Sequence, residues 1–156
     1  MNIEWLISQY GIHLTTFIVC VISGFVPVVN AEIYLVTVSA LSSKSAVIYL
    51  VFISSSGQMV AKSIMYLTGR GSLKLPFKMR NGKLEEVQKK FSKWENKTYL
   101  FIFISASTGF PPFYFVSILA GMLKLNFKMF LIFGFIGRAL RFSLVILFPQ
   151  LLKGIF

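Results

Sequence analysis

The chain has no aspartate, one histidine (His13) and one cysteine (Cys20), and each shortage closes off a class of chemistry. A lone thiol cannot form an intramolecular disulfide or a thiolate metal cluster, and one imidazole without aspartate leaves a zinc site or a Ser-His-Asp triad short of parts. The protein is therefore expected not to be an enzyme and to hold no metal or cofactor. Charge is also scarce: 13% of the 156 residues are charged, against about 25% in soluble domains. No Lys or Arg precedes Lys44, so the first apolar run lacks the basic start of a secretory signal and is expected to stay in the mature protein. What fills the chain instead is apolar: 56% of residues are hydrophobic and 16% aromatic, with a mean hydropathy of +0.75. This composition predicts an all-α integral membrane protein forming a single membrane domain over residues 1–156.

The net charge of +11 is unevenly spread, and its distribution argues against nucleic acid. Residues 70–98 hold nine of the sixteen basic residues and three of the five acids. Inside that loop "KLEEVQKKFSKWENK" places Leu84, Val87, Phe91 and Trp94 at helical spacing, with Lys89 and Lys90 among the charges on the other faces. Such a helix suits an anionic membrane surface, with Phe91 and Trp94 in the headgroup region and lysine stems covering apolar area. A solvated linker helix would show the same pattern. The positive-inside rule puts the loop in the cytoplasm.

Two apolar segments have awkward lengths. A crossing needs about 20 helical residues. Residues 99–123 are interrupted at Gly109, Pro111 and Pro112, leaving arms of ten and eleven residues, each roughly 15 Å long as helix. Adjacent prolines remove two amide donors and disfavour helical geometry before them, so the segment reads as a re-entrant hairpin or a kinked single span. Residues 14–41 are too long for one upright crossing and too short for two, with Gly24, Pro27, Asn30 and Glu32 near the middle. They read as a second hairpin. After each hairpin comes a run of ordinary spanning length, at 46–68 and 129–148, while residues 1–13 form an N-terminal segment.

This order repeats. "GFVP" at Gly24 to Pro27 answers "GFPP" at Gly109 to Pro112 at an offset of 85, and an offset of 80 then pairs Ala40 with Ala120, Gly57 with Gly137 and Ser63 with Ser143. One span between two hairpins makes the halves an inverted repeat, and paired interrupted segments point to a transport site near the midplane. The embedded charges suggest its cargo. Glu32 is the only acid in the apolar segments, whereas Arg138, Arg141 and Lys62 are cations, and Gln58 adds an amide in "SSSGQ". That surplus is costly in hydrocarbon unless an anion joins it, and paired guanidiniums suit phosphate oxygens. Two simpler arrangements also fit: a structural Glu32–Arg138 bridge, and a Lys62 that snorkels outward.

The sequence resembles the DedA or VTT-domain (SNARE-associated) membrane proteins, in their short bacterial branch. The resemblance covers nearly the whole chain. It rests on Tyr10-Gly11, on "VPVVNAEIYL", on "SGQMVAKSIMYLTGRG", and most strongly on "GFPPFYFVSILAGMLKLNFKMFLIFGFIGRALRF". It implies two opposed re-entrant loops in a multi-pass protein of the bacterial cytoplasmic membrane. It also implies flippase or scramblase activity on lipids such as undecaprenyl phosphate or phospholipids, with coupling to the proton gradient in some members. Glu32 corresponds to the acid of the first hairpin, and Arg138 and Arg141 to the basic pair. Phe113 and Tyr114 stand where many members carry a second acid and an arginine. The expected partners are membrane lipids, above all anionic phosphate-bearing ones, and a homo-oligomer is compatible with the sequence.

Overall fold

Pro111 and Pro112 carry no amide hydrogen, so a helix cannot pass through them with its hydrogen-bond ladder intact. In a computed structural model that describes residues 3–26, 30–42, 45–71 and 95–155, the backbone breaks at that point and again in the first half of the chain. The described residues form helices α1 Ile3–Phe25, α2 Ala31–Leu41, α3 Ala46–Gly69, α4 Glu95–Thr108, α5 Phe113–Met122 and α6 Phe127–Ile155, with no strand among them. Pro27, and Lys89, Lys90, Phe91 and Trp94 of the expected surface helix, lie outside the described residues.

The all-helical character matches the expectation from composition. Helix α3 and the Phe127–Leu147 stretch of α6, with mean hydropathies of 1.3 and 2.0, are long and apolar enough to cross a bilayer. Their outward faces are greasy: Ile48, Phe52 and Val60 on α3, and Ile132, Ile136, Leu140 and Leu144 on α6, are all exposed. Apolar stripes of that extent suit lipid as the surrounding solvent. Helix α1 differs from the sequence expectation, because it starts at Ile3 rather than at Leu14 and runs for 23 residues. Gln9 and His13 dilute the hydropathy there without interrupting the helix, since neither carries the backbone penalty of proline.

Each break has its own local chemistry. At the first, Asn30 caps α2: its side chain accepts from the amides of Glu32 (3.0 Å) and Ile33 (3.4 Å). That cap sets Glu32 in the first turn, where the helix dipole favours negative charge. At the second, Gly109 adopts φ +78° and donates its amide to the Ser105 carbonyl at 2.9 Å, closing α4 with a left-handed residue. The Phe110–Pro111 peptide is cis. The Ser105 hydroxyl donates to the Pro111 carbonyl at 2.6 Å, tying the turn back onto α4.

The chain divides into one unit of Met1–Ala61 with Arg138–Phe156 and a second of Lys62–Gly137. In the first unit α1 and α2 pack on each other, with the Thr16 and Tyr34 hydroxyls 3.2 Å apart. Cys20, Ala31, Leu35, Phe142 and Ile146 form its buried cluster, flanked by Tyr34, Val47 and Val51. In the second unit α4 and α5 pack on each other, and Tyr66 stacks on Phe130 with ring centroids 5.0 Å apart.

Candidate functional site

The first unit gathers ionisable groups beside the first break. Arg141 donates through Nε to Glu32 Oε1 at 2.6 Å, and its Nη2 forms an ion pair with the same oxygen. Two charge-assisted bonds from one planar guanidinium fix the direction of the pair as well as its strength. It is not sealed: the side chains of Arg141 and Glu32 are 23% and 32% exposed. Arg138, one turn earlier on the same helix, lies within electrostatic reach of both Arg141 and Glu32. The bridge is therefore made by Arg141, not by Arg138 as the simpler sequence reading had it. One carboxylate against two guanidiniums leaves this cluster with a formal surplus of one positive charge.

Helix register brings more polar groups to the same place. Residues Phe17, Cys20 and Val21 of α1 approach Gly57, and Gly24 approaches Gln58 and Ala61, so α1 and α3 run in the same direction. Contacts of Glu32 with Arg141 and of Ala31 and Leu35 with Phe142 and Ile146 make α2 and α6 parallel as well. Since α1 and α2 form a hairpin, α3 and α6 run in opposite directions in this unit. Val51 packs against the apolar cluster. Toward the break, α3 carries Gln58 beside Ser23 and Gly24 near the end of α1, and α6 carries Arg138 one turn before Arg141. Gln58 Nε2 donates to the Ser23 hydroxyl at 2.6 Å, and both residues are buried. Ser23 and Gln58, near the end of α1, and Glu32, Arg138 and Arg141, near the start of α2, thus lie on the break side of this unit.

The remaining sequence candidates fall elsewhere. Lys62 is buried at 4% exposure, with Nζ 3.9 Å from Met65 Sδ, and belongs to the second unit. Burial at that level does not describe an outward-snorkelling lysine. Gly24 is buried near the end of α1, Asn30 serves as the α2 cap, and Gly109, Pro111 and Pro112 form the second break. Sequence reasoning missed Ser23, whose only signal was its place beside Gly24. It also missed a clasp in the second unit, where the Tyr66 hydroxyl donates to the Leu125 carbonyl and accepts from Arg70 Nη1 at 3.1 Å. The i, i+4 spacing of Tyr66 and Arg70 was its one visible hint. Among the described residues no group of His, Cys, Asp and Glu could hold a metal ion.

Residues 26–150 match the family model of the VTT domain, a match that opens at the first break and takes in α2 to α5 and most of α6. The chain belongs to the VTT-domain family. VTT-domain proteins of the DedA type are membrane proteins with proposed transport roles, in keeping with the apolar helices α3 and α6. No curated protein and no solved structure matches the chain significantly.

Proposed function

We propose that this VTT-domain protein is a lipid flippase or scramblase that moves a phosphate-bearing lipid, such as undecaprenyl phosphate or a phospholipid, across the bacterial cytoplasmic membrane. The observation that carries the proposal is the half-open Glu32–Arg141 pair with Arg138 beside it. A charge surplus in a hydrophobic protein invites an anion, and the two guanidiniums offer the planar donors that phosphate oxygens take. The two broken segments act as re-entrant hairpins of an inverted repeat, whose irregular backbone is tolerated at membrane depth only beside protein or a hydrated path. Only the headgroup needs that path, because the lipid tail stays in the bilayer. The protein performs no bond chemistry and needs no cofactor in this reading. The basic loop at 70–98 faces the cytoplasm and concentrates anionic lipid there, at about 1 kcal/mol per basic residue near such a surface.

The test is transbilayer exchange of labelled phosphate-bearing lipid in liposomes holding the purified protein. Exchange should exceed that of protein-free vesicles and fall for Glu32→Gln and Arg138→Ala. Equal rates with and without protein, across undecaprenyl phosphate and common phospholipids and with a proton gradient imposed, would overturn it. In that event the salt bridge itself favours a non-transporting scaffold, in which Glu32 and Arg141 only hold α2 to α6. Uptake of a free anion without lipid exchange would instead mark a solute transporter. Topology has its own check: with Cys20 replaced, cysteines at Glu85 and Asn126 should label from the same face, and labelling from opposite faces would rule out the second hairpin.

A further inference from the structure

We infer that the end of the second unit bearing Arg70, Lys97, Lys124 and Lys128 is a seat for the headgroup of an anionic phospholipid, whose acyl chains lie along α4 and α6. This goes beyond the transport reading and does not rest on it. The four cations come from three separate stretches of chain. The Tyr66 hydroxyl bonds both the Leu125 carbonyl and Arg70 Nη1, which joins the last turn of α3 to the turn between α5 and α6. Gly121 of α5 faces the Tyr66 carbonyl and the Arg70 amide across a gap too narrow for a Cβ. The Tyr99 hydroxyl accepts from the Asn126 amide at 3.3 Å, bringing the start of α4 to the same turn. Tyr99 also stacks on Phe133, and Phe103 and Ala106 face Gly137, so α4 and α6 run parallel from that end. All four cations are exposed, and among the described side chains of this unit no carboxylate accompanies them.

Lys124 shows that charge is wanted there. Its amide bonds the Gly121 carbonyl at 2.9 Å and the Leu125 amide bonds the Ala120 carbonyl at 3.1 Å, the capping turn that usually takes glycine at this position. Lys124 has φ +54°, and among the described residues it alone combines a positive φ with a side chain. A lysine held in that conformation is strained, which gives its ammonium a reason to be there. Neighbouring apolar side chains decide which anion fits. Leu100, one turn beyond Lys97 on α4, and Ile132, one turn beyond Lys128 on α6, are both more than half exposed. Free phosphate, nucleic acid or an acidic peptide would meet the cations and leave these side chains bare. A phospholipid engages both, with its phosphate on the cations and its acyl chains on Leu100 and Ile132.

Thermal unfolding of the purified full-length protein in uncharged detergent tests the seat. The probes are dioctanoyl phosphatidylglycerol, dioctanoyl phosphatidylcholine and inorganic phosphate. Phosphatidylglycerol should raise the unfolding midpoint, since a ligand of the folded state stabilises it, and the other two should not. Lys124→Gly should unfold at the same midpoint or higher without lipid, because glycine relieves the turn, yet need about fivefold more phosphatidylglycerol for the same shift. Adding Lys128→Gln should raise that to about thirtyfold, as a second basic residue leaves the headgroup. Lys89→Gln with Lys90→Gln, an equal loss of charge in the loop, should titrate as wild type, and high salt should weaken the wild-type shift. Each titration is repeated with Arg138→Ala, which removes the charge surplus of the first unit, and the lysine effects should persist there. A shift that vanishes with Arg138→Ala would assign the lipid to the first unit and overturn the inference. An equal response to phosphatidylcholine or to inorganic phosphate, an equal loss in the loop pair, or a wild-type titration by the Lys124→Gly, Lys128→Gln protein would overturn it as well.

Discussion

The two units hold a broken hairpin against a long helix with the same contacts. In the first, a Cβ on Gly57 would lie 2.8 Å from the Phe17 carbonyl oxygen and 3.1 Å from Cys20 Cβ; in the second, a Cβ on Gly137 would lie 2.8 Å from the Phe103 oxygen and 2.7 Å from Ala106 Cβ. Val21 and Ser107 complete the two sets, so every residue facing one glycine maps onto its counterpart by a shift of 86. The units part company in their polar contacts. The first places an ion pair and a second arginine there; the second has a tyrosine clasp on Leu125 and a serine bond to Pro111, and among its described side chains no carboxylate. The two units thus share a glycine-mediated packing and differ in their polar contents.

Four measurements bear on this contrast. The largest effect should come from Arg141→Ala, which leaves Glu32 without its partner. A sealed pair broken this way costs about 3–5 kcal/mol, and the partial exposure of both side chains lowers that to about 2 kcal/mol. The double variant Glu32→Gln, Arg141→Gln should recover most of the unfolding midpoint but not lipid exchange; recovery of exchange would make the pair a strut only. Next come Gly57→Ala and Gly137→Ala. Each gains roughly 1 kcal/mol of helix propensity and loses about 1–3 kcal/mol to overpacking against a backbone carbonyl, for a net loss of up to about 2 kcal/mol. Similar losses at both sites would support the shared frame, and tolerance at one alone would break it.

Smaller effects bear on the clasp and the cap. Tyr66→Phe should cost about 1 kcal/mol of stability through the lost bond to the Leu125 carbonyl and leave exchange rates near wild type. A collapse of exchange at unchanged stability would move chemistry into the second unit. Smallest is Asn30→Ala, expected to lower the midpoint by about 0.5–1 kcal/mol as α2 loses its side-chain cap. Exchange should fall with it if the cap sets the direction of Glu32, and a stability loss without any change in exchange would show that Arg141 alone sets it.

The breaks were legible in the sequence because proline and glycine act through the backbone, which neighbours cannot overrule. The pairing of Gly57 with Gly137 was legible as an offset, and Glu32 and the arginines as charges in apolar runs. The start of α1 was not, because polar residues such as Gln9 and His13 look like an end to a hydropathy window and not to a helix. Which arginine meets Glu32 was also hidden: Arg138 and Arg141 share a helix face, and only the parallel docking of α6 on α2 selects between them. Ser23 and Gln58 lie 35 positions apart, and nothing in their local sequence announces that they meet.

The span between Glu32 and Arg141 has a consequence for how the protein is made. They are 109 residues apart, which at cellular synthesis rates of about 5–20 residues per second is a delay of roughly 5 to 20 seconds. During that interval the first hairpin has emerged while the guanidinium that neutralises its carboxylate does not yet exist. A short arm bearing an uncompensated charge is a poor substrate for membrane insertion, so the first hairpin is expected to settle only once the last helix arrives. With Glu32 kept and Cys20 replaced, chains halted before Phe127 should therefore leave a cysteine at Ala31, buried in the complete protein, open to a water-soluble label, and full-length chains should protect it. Protection in the halted chains would show that the hairpin seats itself unaided.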